Sequence, residues 1–194
     1  GDRRMALMNS PVSSPSSTFL TLADRYNNKR FNSPNDAVFR SNGDLFFTDP
    51  PYGLLNQDND ALKELPKNGV YRLDSAGNVT LLVDSLTRPN GITFIDNEKT
   101  LLIANSDPAK AKWYAYDLTA DYTLTKIGLP DGLKVNNKGY VFATGPGGVW
   151  IFNPAGKLIG KIKTSVATAN CALGRNGKEL FLTSDQYLIR IELL

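Results

Sequence analysis

A short turn followed by an apolar run occurs four times along this chain. It appears as "SPNDAVF" from Ser33, "RPNGITF" from Arg88, "LPDGLKV" from Leu129 and "TANCALG" from Thr168. Recurrence of this kind constrains the fold more than any single motif does, because repeated units bury their apolar faces against one another. The runs themselves are short: Ala37–Arg40, Ile92–Ile95, Leu133–Val135 and Cys171–Leu173. A polar turn follows each ("SNGD", "DNEK", "NNKG", "RNGK"), then a second strand closing on small polar residues ("LFFTD", "LLIANS", "YVFAT", "LFLTSD"). A third strand begins soon after ("GVYRLD", "WYAYDL", "GVWIFN", "YLIRIEL"), and three units leave room for a fourth, such as "VTLLVD" or "LIGKIK".

These runs are rich in Val, Ile, Leu, Phe and Tyr and are broken by Gly, Asn and Asp at hairpin spacing. "DSAGNV" and "NPAGKL" read as tight hairpin turns. No segment carries sustained helical periodicity; "NDALKELPK" supplies one turn within a loop. Four-stranded antiparallel units repeating every 40–50 residues or so specify a β-propeller. The units start at Pro34, Pro89, Pro130 and Ala169, spaced 55, 41 and 39 residues apart. The first is lengthened by the inserted loop "PPYGLLNQDNDALKELPKN". "RRMALMN" and "TFLTLAD" read as the last two strands of a preceding unit. Residues 1–194 are therefore expected to form a single all-β domain of about four and a half blades. A ring cannot close on that number, so the domain is expected to be N-terminally incomplete. The interval from Tyr114 to Gly132 looks short for its blade.

The chain has no histidine and one cysteine, Cys171. That excludes Ser-His-Asp and Cys-His catalysis, histidine metal sites and an intrachain disulfide. Any metal must be held by oxygen, which favours hard cations. The 22 basic and 19 acidic residues are scattered, leaving +3 without a basic run, so nucleic acid is not an expected partner. No apolar stretch is long enough to span a bilayer, and no membrane partner is expected. The compartment stays open between periplasmic or secreted and cytoplasmic.

The motifs "NSPNDAVFRSNGDLFFTDPPYGL", "RPNGITF…LLIANSD", "LPDGLKV" and "ATGPGGVWIFNPAGKLIGKI" resemble the senescence marker protein, gluconolactonase and luciferin-regenerating enzyme family over nearly the whole chain. The resemblance implies a six-bladed β-propeller with one divalent cation at the top of its channel. That cation is usually calcium, with zinc or magnesium as alternatives. It also implies hydrolysis of a small-molecule substrate, a sugar-acid lactone or related ester. The family's ligands are an N-terminal Glu, two Asn and an Asp. Asn35, Asn90 and Asp131 match the last three. Nothing here matches the Glu, so an N-terminal segment or a second chain is expected to complete both ring and site.

At any one turn, Asn or Asp after Pro answers to backbone geometry alone. Three in register, at points that successive blades bring to the channel axis, make an oxygen donor set for a hard cation. Asp131 is the expected general base on water, while Asp36, beside Asn35, positions or supports it. Asn35, Asp36, Tyr52 and Asn170 are the candidate substrate contacts. Asn170 is placed at the equivalent point of the fourth unit, where turn and channel-lining roles both stay open. Gly145, Gly147 and Gly148 read as a bend between strands, not a phosphate cradle, and Cys171 as a buried inert thiol. Trp113 and Trp150 fall on third strands as packing between blades. Two further readings stand beside the enzyme: a non-enzymatic propeller binding a ligand or protein at its top face, and a structural calcium protein.

Overall fold

The computed structural model describes residues 2–8, 10, 18–95, 98–117, 120–123, 132–145 and 147–193. Strands β1 (Met5–Met8) and β2 (Phe19–Ala23) pair antiparallel. The small hairpin of β3 (Arg25–Tyr26) and β4 (Lys29–Arg30) follows. Its turn residues Asn27 and Asn28 have φ of 50° and 61°, the left-handed pair that a two-residue hairpin needs. Three four-stranded meanders come next. The first contains β5 (Ala37–Phe39), β6 (Leu45–Asp49), β7 (Gly69–Leu73) and β8 (Val79–Val83). The second contains β9 (Pro89–Ile95), β10 (Thr100–Asn105), β11 (Lys112–Asp117) and β12 (Ala120–Thr123). The third contains β13 (Leu133–Val135), β14 (Val141–Gly145), β15 (Gly148–Phe152) and β16 (Leu158–Lys163). A three-stranded sheet of β17 (Thr168–Gly174), β18 (Glu179–Ser184) and β19 (Tyr187–Glu192) ends the series.

The turns repeat one device. Asp74, Asn136 and Asn153 each accept two backbone N–H groups, from Ala76 and Asn78, Lys138 and Tyr140, and Ala155 and Lys157 respectively. Three residues on, Gly77, Gly139 and Gly156 sit at φ of 89°, 79° and 75°, where other residues are strained. The short helical turn expected in the inserted loop is present slightly earlier, as a 3₁₀ turn over Gln57–Asn59. The second meander is completed by β12; residues 124–131, between β12 and β13, lie outside the described residues.

Each four-stranded meander packs on both faces, because alternate residues of a strand point opposite ways. Leu45, Phe47, Tyr71 and Leu73 pack back toward Met5 and Leu22 of β1 and β2. Phe46 and Val70, from the other face, meet Ile92, Leu101 and Ile103 of the second meander. Leu102, Ala104, Trp113 and Ala115 then meet Leu133, Ala143 and Phe152 of the third, with Trp150 packed alongside. Phe142 and Val149 meet Cys171, Leu180 and Leu182 of the last sheet. Both tryptophans thus pack between sheets as expected. The first strands β5, β9, β13 and β17 lie in order against one another. Meanders stacked face to face with their first strands gathered on one side form the arc of a β-propeller, all-β as expected. Among the described residues no helix is long and apolar enough to cross a membrane.

Candidate active site

A threonine near the end of three of the second strands fixes the register of the channel. Thr48 Oγ1 accepts the Asp36 N–H at 3.2 Å, Thr144 Oγ1 the Gly132 N–H at 2.7 Å, and Thr183 Oγ1 the Asn170 N–H at 3.0 Å. Asp36, Gly132 and Asn170 are therefore equivalent. The residues before them, Asn35, Asp131 by sequence, and Ala169, share the next position. Asn90 joins that second set: Thr48 Oγ1 donates to the Asn90 carbonyl at 2.7 Å, just as Thr144 Oγ1 reaches the Ala169 carbonyl at 3.0 Å. The placement of Asn170 beside Asn35 and Asn90 in the sequence reading is off by one residue. The offset comes from matching asparagine to asparagine: β17 shifts register between Thr168 and Asn170 and β9 likewise opposite Ile103 and Asn105, so both strands carry the same bulge. An extra residue in one strand bends it and re-aims a side chain. In β17 that residue is Ala169, which carries no ligand atom.

Asn90 is buried, and among the described residues no donor reaches its Oδ1. A buried amide oxygen left unpaired costs about 1–3 kcal/mol. Asn35 is exposed at the same level of the first meander, its N–H bound to the Thr48 carbonyl at 2.9 Å. Asp131 lies outside the described residues, so its side chain is not placed. Its neighbour Gly132 is: a Cβ there would stand 2.1 Å from Asn170 Oδ1, so glycine lets β13 and β17 close together. Among the described residues no three Asp, Glu, Cys or His side chains gather. The orphaned Asn90 oxygen instead fits a hard cation held by amide and carboxylate oxygens.

Asp36 is tied down from three strands. Its Oδ1 accepts the Ala37 N–H at 2.9 Å and its Oδ2 the Ile92 N–H at 3.1 Å. Lys134 of β13 brings its ammonium to 3.3 Å. The lysine also donates to the Leu133 carbonyl at 2.9 Å. This carboxylate is occupied as a strap across the channel wall. Asn170 repeats half of the device, its Oδ1 accepting the Cys171 N–H at 2.8 Å. Sequence reasoning missed Lys134; a lysine within the apolar run "GLKV" was the available signal.

It also missed the residues that end the second strands. Fully buried Asp49 accepts the Asn32 N–H at 2.8 Å and the Ser33 N–H at 2.7 Å. Burial pushes its carboxyl up to about 7, against the pull of those two bonds. Asn105 accepts the Arg88 N–H at 2.7 Å and donates to Thr87 Oγ1 at 3.2 Å and the Lys110 carbonyl at 3.0 Å.

Tyr52 lines an open cleft of about 660 Å³ with Asp58, Lys67, Arg88, Ser106 and Asp107. The Arg88 guanidinium pairs with Asp58, and Asn68 donates to Asp58 at 2.9 Å and to the Thr87 carbonyl at 2.8 Å. The inserted loop is thereby fastened to the start of β9. Cys171 is buried as expected, and burial pushes its thiol up to about 12, far from a reactive thiolate. At the glycine-rich bend, a Cβ on Gly148 would lie 2.0 Å from the Ile162 carbonyl.

The sequence model of the SMP-30/Gluconolactonase/LRE-like region matches residues 2–186. A gluconolactonase of Zymomonas mobilis is 37% identical over 188 residues, covering 88% of this chain and 53% of that protein. The solved gluconolactonase of Xanthomonas campestris superposes with a TM-score of 0.88 at 31% identity, over 100% of this chain and 66% of that one. The calcium-binding protein regucalcin of Agrobacterium tumefaciens shares the fold at a TM-score of 0.63 and 18% identity, over 79% and 53% of the two chains. The chain spans about half the length of the curated relatives it matches.

Proposed function

Because the chain belongs to the SMP-30/gluconolactonase/LRE-like family, we propose that it acts as a divalent-cation-dependent lactonase, opening a sugar-acid lactone at the channel mouth. The observation that carries the cation is the buried Asn90 Oδ1, unpartnered among the described residues. Asn35 stands at the same level of the adjoining meander, and Asp131 follows by sequence in the next. Asn35, Asn90 and Asp131 would hold the ion, and an all-oxygen set without histidine suits calcium, with magnesium or zinc as alternatives. Such a cation, when bound, polarises a lactone carbonyl and stabilises the negative charge that develops on its oxygen.

The chain's own residues supply the rest. The Asp131 carboxylate takes a proton from water as the water oxygen adds to the carbonyl carbon. The ester C–O bond then breaks, the ring oxygen takes up the proton, and an open hydroxy acid leaves. Asp36, paired with Lys134, keeps β5, β9 and β13 in register beneath the site. Tyr52 and Asn170 border the substrate.

The experiment is aldonolactone hydrolysis by the full-length protein with and without chelator, beside D131N. Turnover is expected to need the cation and to vanish in D131N. Turnover that survives both treatments overturns the mechanism. A calcium-raised melting temperature with no hydrolysis of any aldonolactone overturns the enzyme and leaves a structural cation.

A further inference from the structure

Two second strands end in a residue that holds the approach to a site asparagine. Asp49 closes β6 and accepts the N–H of Ser33, two residues before Asn35. Asn105 closes β10 and accepts the N–H of Arg88, two residues before Asn90. Asp49 and Asn105 are themselves equivalent, since each directly follows the strand position held by Thr48 and Ala104. The chemistry explains why one is Asp and the other Asn. Asp49 meets two N–H donors, those of Asn32 and Ser33, which call for two acceptor oxygens. Asn105 meets one N–H donor, a hydroxyl oxygen and a carbonyl, which call for one acceptor and an NH₂ group.

We propose that Asp49 and Asn105 are paired positioning residues, each fixing the turn from which one site asparagine, Asn35 or Asn90, projects toward the channel mouth. The segment between staple and asparagine leaves little freedom. Ser33 and Asn35 are separated only by Pro34, and Arg88 and Asn90 only by Pro89, so φ of the intervening residue is set by its ring. The far end is fixed too: the Asn35 N–H and the Asn90 carbonyl are both bound by Thr48, through its carbonyl and its hydroxyl. Staple, proline and threonine together hold each asparagine without touching its amide group. That leaves the Asn90 Oδ1 in a fixed place and, among the described residues, unpartnered.

The cation arm of this inference rests on the lactonase reading; the positional arm does not. The test records backbone and side-chain amide resonances of Asn35 and Asn90 in the isotope-labelled full-length protein under chelator, with calcium titrations beside them. N105A is expected to shift or broaden the Asn90 signals and spare those of Asn35, and D49A to do the reverse. Each variant is expected to weaken calcium binding by roughly 10–100-fold, the usual effect of removing a ligand's support. Should D49A not fold, D49N, which keeps one acceptor oxygen, reads the Asn35 side. Both sets of signals moving together, or neither moving, overturns the proposal, because a merely structural defect would not choose between the two sheets. If the native protein binds no calcium, the cation reading falls and the resonances alone decide the positioning.

Discussion

Asp36 and Lys134 are 98 residues apart in the chain, yet the lysine ammonium stands 3.3 Å from the aspartate carboxylate. Asp36 is buried and Lys134 only partly so, which makes the pair asymmetric. Removing the lysine leaves a buried charge with two backbone N–H partners and no cation. K134M is therefore expected to cost roughly 3 kcal/mol in urea unfolding at neutral pH. Adding D36N should return at least about 1 kcal/mol of that loss, since the uncompensated charge is gone. Strictly additive losses in the double mutant would show that the two side chains do not interact.

The Asn90 oxygen gives a prediction whose sign depends on the solution. Without a cation, N90L removes an unpaired buried oxygen worth about 1–3 kcal/mol of destabilisation. In chelator the variant should melt at or above the native temperature. On addition of calcium the native protein should gain stability by ligand linkage, whereas N90L should not. A calcium-dependent rise of equal size in both proteins would remove Asn90 from the ligand set.

Asp49 predicts an unusual pH dependence. Its carboxyl holds a proton to about pH 7 when folded, while the unfolded chain releases it near the ordinary value of 3.8. The folded state therefore binds more protons between those values. The stability this gives is complete below about pH 4 and is lost as pH rises through 7, by at most about 4 kcal/mol. Lys63 and Arg3, whose charges favour the carboxylate, reduce the effect without reversing it. Unfolding free energies from pH 4.5 to 8 should show a smaller fall in D49N than in the native protein; equal profiles would refute the prediction.

The inserted loop is fastened by Arg88 to Asp58 and to Gln57, the latter at 3.3 Å. Leu55 and Leu62 in this loop are exposed at 93% and 68%, ready sites for chymotrypsin once the loop loosens. Partly exposed ion pairs contribute up to about 1 kcal/mol, so R88A should speed cleavage there roughly fivefold. Unchanged cleavage would mean that Asn68 and the neighbouring backbone hold the loop unaided.

Much of this architecture is legible in the sequence, because propeller sheets are local. The strand order, the Asn or Asp with Gly at three of the hairpins, and the tryptophans between sheets all follow from residues close together. Asn170 shows where such reading fails. Matching asparagine to asparagine slips the fourth unit by one residue, since an alanine, Ala169, holds the bulge position there and no residue type announces it. The partners of Lys134 and of the pair Asp49 and Asn105 were missed for another reason. They are fixed by register across sheets, and an aspartate ending "LFFTD" looks the same whether it staples a backbone or faces water.

The stacking of each sheet only on its neighbours has an evolutionary consequence. Asn35, Asn90 and Ala169 each belong to a separate sheet, so exchanging one leaves the hydrogen-bonded frame of the others intact. The channel mouth is in effect a row of independent sockets on a common rack. Ala169 is the socket now filled by a methyl group, and an acidic or amide residue placed there would change the donor set without rebuilding the fold. A lineage could thus retune its ion or its substrate one sheet at a time, each step visible to selection by itself.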